Sequence, residues 1–154
     1  MDMCIYSKRG IFGGVEVGKS QWMPLEYEHM LTSSNGGYLE VLQWARANGC
    51  PWDRWTCAYA AQGGHLEELQ WARANGCHWN EDTCSLAATG GHMEVLQWAR
   101  ANGCSWDRGT CSFAAIGGHM EVLQWAHANG CPIDQPTLQR YNRWCETRLI
   151  ENSW

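Results

Sequence analysis

The stretch Gly36-Gly37-Tyr38-Leu39-Glu40-Val41-Leu42-Gln43-Trp44-Ala45-Arg46-Ala47-Asn48-Gly49-Cys50 recurs with few changes from Gly63, Gly90 and Gly117, a fixed period of 27 residues. A chain that repeats at this interval is expected to fold as a row of supersecondary units, each burying its apolar face against the next. The block Gln-Trp-Ala-Arg-Ala-Asn-Gly-Cys is identical at 43–50, 70–77 and 97–104, and the copy at 124–131 changes only Arg to His127. Full units fall at 51–77, 78–104 and 105–131, and a degenerate one at 24–50 carries Met30, Ser33 and Ser34 where later units have Cys, Ala and Ala. A fifth starts at Pro132 but has Trp144-Cys145 in place of Gly-Gly, so residues 137–150 are expected to run on as one capping helix. The layout is then a divergent N-terminal segment at 1–23, repeats over 24–136, and a capping helix and tail at 137–154.

Each unit reads as two short helices, which makes the predicted fold all-α. Asp53, Asn80, Asp107 and Asp134 stand just ahead of the first helix, where a side-chain oxygen can accept from its exposed N–H groups. Gly-Gly after Ala60-Ala61, Ala87-Ala88 and Ala114-Ala115 ends that helix. On the second helix Leu39, Val41, Leu42, Trp44 and Ala45 spread over a broad apolar arc, which requires neighbours on both flanks. Asn-Gly then stops it.

The run Gly-His-Leu-Glu-x-Leu after Ala-Ala, with Gly64-His65, Gly91-His92 and Gly118-His119, resembles the ankyrin repeat, and Asn-Gly-Cys resembles that family's Asn-Gly-Ala. The resemblance covers about residues 24–140 and is closest to the short Trp- and Cys-rich ankyrin-like repeats of giant DNA viruses and some protists. Thr56 and Cys57 stand where ankyrins have Pro and Leu, and each unit is 27 residues long rather than the 33 usual in ankyrins. The missing residues fall where ankyrins build a β-hairpin. The resemblance therefore implies an ankyrin-like solenoid of stacked antiparallel helix pairs with shortened loops and no hairpin, a fold that binds other proteins.

Composition narrows the alternatives. The chain has 154 residues, 11 basic against 16 acidic, for a net charge of −5, which offers no general attraction to nucleic acid or to anionic membranes. Its apolar runs fall far short of the ~18 residues that span a bilayer. The start, Met1 to Arg9, lacks a secretory pattern, so the expected location is intracellular, cytoplasmic with the nucleus or a host-cell cytoplasm as variants. Nine cysteines, an odd number, are expected as free thiols. The expected assembly state is a monomer, with no cofactor.

Several residues could carry chemistry. Gly13-Gly14-Val15-Glu16-Val17-Gly18-Lys19-Ser20 fits the phosphate loop G-x-x-x-x-G-K-[ST], but that loop works between a strand and a helix, whereas Pro24 follows closely and a decayed repeat explains the glycines. Cysteines 50, 57, 77, 84, 104, 111 and 131 alternate in spacing by 7 and 20, unlike a zinc knuckle, and read as small buried hydrophobes. His65, His92 and His119 read as hydrogen-bonded turn residues. The loop tryptophans Trp52, Trp79 and Trp106 suit packing before recognition, and Trp44, Trp71, Trp98 and Trp125 are expected to wedge between second helices. Arg46, Arg73 and Arg100 form a ladder balanced by Glu40, Glu67, Glu94 and Glu121, which predicts a solvated charged face. Glu68 replaces Val41, Val95 and Val122 and is expected to bend to water, with a partner contact as the alternative.

Positions that differ between copies are the better guide to binding, because structural positions repeat while contact positions diverge. Arg54-Trp55, Glu81-Asp82 and Arg108-Gly109 precede or open the first helix, and Gln62, Thr89 and Ile116 follow Ala-Ala. Tyr59, Leu86 and Phe113 vary too but stay bulky, which reads first as packing. The expected function is a non-enzymatic protein-interaction module whose contacts are Arg54, Trp55, Gln62, Glu81, Asp82, Thr89, Arg108 and Ile116, with no catalytic, cofactor or metal residues. The alternatives are nucleotide or phosphate binding at Gly13–Ser20, a Cys-rich metal- or redox-responsive protein, and a repeat-family member with little function.

Overall fold

The structure, a computed structural model, describes residues 36–52 and 54–151. These residues form eight helices: α1 Leu39–Ala47, α2 Arg54–Gln62, α3 Leu66–Ala74, α4 Glu81–Gly90, α5 Met93–Ala101, α6 Arg108–Ile116, α7 Met120–Ala128 and α8 Gln135–Glu151. No strand occurs among the described residues. The sequence period is carried into the fold, since α2, α4, α6 and α8 open at 27-residue intervals, as do α1, α3, α5 and α7. The expected cap is one continuous helix, beginning at Gln135 rather than at residue 137.

Short-range chemistry sets the helix ends. The Asp107 carboxylate accepts from the Gly109 N–H at 2.8 Å, and Asp134 accepts from the Thr137 N–H at 2.9 Å. Asn80 departs from the expectation: it makes no capping hydrogen bond to α4. Its amide donates instead to the Asp82 carboxylate at 2.8 Å, leaving its own oxygen buried without a partner. A charged acceptor two residues on draws the NH₂ group, and the next unit has Gly109 there instead. At the other end, Asn75, Asn102 and Asn129 donate from their side chains to the carbonyls of Trp71, Trp98 and Trp125, each at 2.8 Å. The following glycines are left-handed, and the Cys77 N–H returns to the Ala72 carbonyl at 2.9 Å, which closes the helix end.

The turn between paired helices explains Gly-Gly-His. Gly91 has φ 75°, and a Cβ added to it would meet the ring of His119; Gly64 stands in the same way beneath His92, whose Nδ1 would lie 2.6 Å from that Cβ. Glycine is thus required by its left-handed backbone and by the imidazole of the next unit lying over it. The three histidine rings pack between units, and none of them caps its own helix with a side-chain hydrogen bond.

In the packing, α2 lies on α4 and α4 on α6, while each of these also packs on the helix that follows it; α8 closes the row against α6 and α7. The side chains buried along these first helices are small: Cys57, Ala60, Ala61, Cys84, Ala87, Ala88, Cys111, Ala114 and Ala115. Small residues let helix backbones approach closely, and α2·α4 and α4·α6 are the most extensive interfaces among the described helices. Each second helix contributes one fully buried leucine, Leu42, Leu69, Leu96 or Leu123. Threonines 56, 83 and 110 are buried at one repeat position. The Thr110 hydroxyl meets Ser85 Oγ at 3.4 Å and Thr137 meets Ser112 Oγ at 3.3 Å, whereas Thr83 has no partner, because Ala58 occupies the position that Ser85 and Ser112 hold in later units.

Candidate interaction face

Two faces compete for the role of a binding surface, and the second helices come first because they carry the aromatic and basic residues. Trp52 packs edge-on to Trp71, Trp79 to Trp98 and Trp106 to Trp125, with ring centroids 5.6, 5.6 and 5.8 Å apart. The loop tryptophans are therefore packed, as expected, and they pair with the second-helix tryptophan of their own unit. Two of the three arginines depart from the expected solvated ladder. Arg46, Arg73 and Arg100 lie over Trp52, Trp79 and Trp106 at 4.5, 4.1 and 4.0 Å from the ring centroid. Arg73 and Arg100 also donate to the carbonyls of Cys77 and Cys104. Arg73 and Arg100, half-buried with a planar cation over an indole face and one N–H on a backbone carbonyl past the helix end, are held in place, whereas Arg46 is exposed as expected. Where the fourth copy has His127, Tyr141 of α8 lies against it; Tyr141 stacks on Trp144, and Arg148 covers Trp144 while pairing with Glu121 at 3.2 Å. The cap thus rebuilds the cation-on-aromatic arrangement with different residues.

The first helices present the other face. Because α2, α4 and α6 lie side by side, equivalent positions form rows across them, and positions 55, 59 and 62, spaced by four and three, share one side of the helix. One row is Tyr59, Leu86 and Phe113; the next is Gln62, Thr89 and Ile116. Trp55 lies 6.1 Å from Tyr59, ring to ring. Tyr59 and Leu86 are half-buried, whereas Phe113 is 43% and Ile116 69% exposed. Phe113, expected as packing, is a correction: it stands at the open side of the row, and its variation between copies was the signal that it faces outward. Glu81 and Arg108 are exposed at the starts of α4 and α6. Asp82 is occupied by Asn80, and the Thr89 hydroxyl donates to the Ser85 carbonyl at 2.8 Å, so these two polar groups are partly committed within their own helix. Asp53 and the side chain of Arg54 lie outside the described part of the chain, as does the whole Gly13–Ser20 segment.

Glu68 is a further correction. It is 2% exposed and neither carboxylate oxygen has a hydrogen-bond partner, so it does not bend to water. It lies beside a cleft lined by Gly37, Leu39, His65 and Leu66. Burial pushes its carboxyl up to about 7. The reason is positional: the corresponding Val95 and Val122 are buried, and glutamate on the same helical turn is carried inward with the backbone.

The seven cysteines from 50 to 131 are all buried, as their spacing predicted. No group of three or more His, Cys, Asp or Glu side chains among the described residues converges on a point that could hold a metal. None of the described helices is long and apolar enough to cross a membrane. No protein-family model matches the chain, and no curated protein matches it.

Proposed function

We propose that this chain is a non-enzymatic protein-interaction module, an ankyrin-like array of helix pairs with shortened loops, which holds a partner protein against its first-helix face. One observation carries the reading. The buried positions repeat almost unchanged from unit to unit, while the side of α2, α4 and α6 bearing Trp55, Tyr59, Leu86, Phe113 and Ile116 changes in every copy and stays accessible. Aromatic and aliphatic side chains flanked by Glu81 and Arg108 match the composition of interface centres with a polar rim. Trp71, Trp98 and Trp125 of the second helices are engaged with the loop tryptophans, which in turn lie under arginine, so that side offers fewer open aromatic faces, with Trp44 at 48% exposure as the exception.

The test is affinity capture from source-cell lysate with wild type and with Trp55→Ala/Phe113→Ala/Ile116→Ala, after circular dichroism shows equal helicity. A protein enriched by wild type and lost with the variant supports the reading. The same captures with both baits overturn the assigned face, and empty captures with both overturn the interaction reading.

A further inference from the structure

Each complete unit brings two cysteines together from opposite ends of its helix pair. Cys57 of α2 donates to Cys77, which follows α3, with the two sulfurs 3.1 Å apart. Cys84 of α4 and Cys104, which follows α5, hold the same two positions in the next unit, as do Cys111 of α6 and Cys131, which follows α7, where the Cys111 thiol approaches the Cys131 carbonyl at 3.9 Å. All three pairs have the same separation of 20 residues, and all six sulfurs are buried. A disulfide bond is ~2.05 Å long, so the Cys57–Cys77 pair at 3.1 Å needs a closing movement of only about 1 Å. Reacting atoms about 3 to 3.5 Å apart are already in an attack arrangement.

The two members of a pair are chemically unequal. The hydrogen bond to the second cysteine, followed by burial, pushes the first thiol up in each unit. The second sulfur accepts that hydrogen bond, which holds Cys104 and Cys131 below the usual thiol range, and Arg100 acts on both in the same direction. Of the two thiols the second is the more readily deprotonated and so the nucleophile of the pair; at rest it donates to a backbone carbonyl, Cys104 to Asn80 at 3.3 Å and Cys131 to Asp107 at 3.2 Å. Burial as small apolar residues accounts for cysteine at either position singly. It does not require the Cys57 and Cys77 sulfurs to meet, nor the same pair of positions to carry cysteine in three successive units.

We propose that Cys57–Cys77, Cys84–Cys104 and Cys111–Cys131 are redox-active dithiols that a hydroperoxide converts to three parallel disulfides, a role independent of the interaction reading. In the first step the second cysteine's sulfur attacks one peroxide oxygen. The O–O bond breaks, the thiol proton goes to the departing oxygen, and a sulfenic acid and one water form from hydrogen peroxide. In the second step the first cysteine's sulfur attacks the sulfenic sulfur. The S–S bond forms, the S–O bond breaks, and hydroxide leaves with the remaining thiol proton as a second water. The sulfurs lose two electrons per pair and the peroxide oxygens gain two. Because the sulfurs are buried, peroxide reaches them during local opening of a unit, so oxidation reports on exposure of the array to sustained peroxide.

The test uses the full chain, purified reduced, treated in the native state with graded hydrogen peroxide, acid-quenched and alkylated under denaturing conditions. The expected result on intact mass is a stepwise loss, per pair, of the two alkyl groups that the reduced thiols would take up together with about 2 Da for the two hydrogens. Peptides cleaved at arginine and at Glu81 are expected to carry the three links named, and Tm is expected to rise and to fall back after dithiothreitol. Links that match those of chain oxidised in denaturant, or sulfinic acids without links, overturn the proposal. In Cys84→Ser, confirmed as folded by circular dichroism, Cys104 is expected to stop at a dimedone-trappable sulfenic acid while the other two links form. Retention of three links in that variant overturns it equally.

Discussion

The first and second helices of each unit obey different rules. Along α2, α4 and α6 the buried side chains are alanine, cysteine, threonine and one serine, and the outward side changes from copy to copy. Along α3, α5 and α7 the same Gln-Trp-Ala recurs, with a leucine at the centre and half-buried tryptophan toward the loop. The difference teaches where specificity of fold resides. In the first row close approach of backbones leaves no room for side-chain bulk, so any enlargement is felt in two neighbouring helices at once. In the second row indole pairs and arginines fill a wider space, and their exposed edges tolerate adjustment.

Enlarging the first row should therefore have the greatest effect. Ala87→Leu, at a fully buried site, is expected to cost about 3 kcal/mol, the upper range for overpacking, while Trp98→Leu in the second row costs about 1 kcal/mol from the lost aromatic pair. Urea denaturation of the two variants checks this, and equal losses would erase the distinction between the rows. Glu68→Val restores the residue type of the other copies. The carboxyl titrates at about 7 in the folded chain against an ordinary 4.5, so the folded state binds more protons than the unfolded state between these values. Wild-type stability should fall as pH rises from about 4.5 to about 7 and then level. The valine variant should lose that slope and gain about 2 kcal/mol more above pH 7 than near pH 4, after allowing for solvent screening through the adjoining cleft.

Within the first row the Thr83 hydroxyl gives a finer probe. Ala58→Ser would place Oγ where Ser85 meets Thr110 and should stabilise by about 1 kcal/mol, an effect absent from the Ala58→Ser/Thr83→Val double variant. The smallest change expected is Arg100→Lys. It keeps the charge but gives up the planar stack on Trp106, so a loss of about 0.5 kcal/mol, insensitive to salt, separates stacking from surface charge.

The period, Gly-Gly and Asn-Gly were enough to read the helices and their ends from the chain alone, because these signals act within a few residues. Contacts between units were less legible. The 20-residue cysteine separation is visible in the sequence, but that the two sulfurs meet depends on the angle at which the Gly-Gly turn folds one helix onto the other. Arg73 reaches Trp79, six residues later and beyond the helix end, which is not a helical spacing. Glu68 reads as a surface residue when charge is weighed before position, and Asn80 reads as a cap although Asp82, two residues on, competes for its amide. On the candidate face, divergence between copies pointed correctly to an accessible Ile116, whereas size misdirected the reading of Phe113.

The imidazole resting on the preceding unit's glycine has a consequence for how such a chain can change length. His65 on Gly37, His92 on Gly64 and His119 on Gly91 are one joint made three times, with donor and acceptor sides always in the same order along the chain. Excising or duplicating any 27-residue block between two such joints recreates the joint it removes, so the gene can lengthen or shorten in whole steps without inventing a new fit. Gly118 shows where this stops: nothing lies over it, because the next copy would have to bring a histidine where the chain has Glu146.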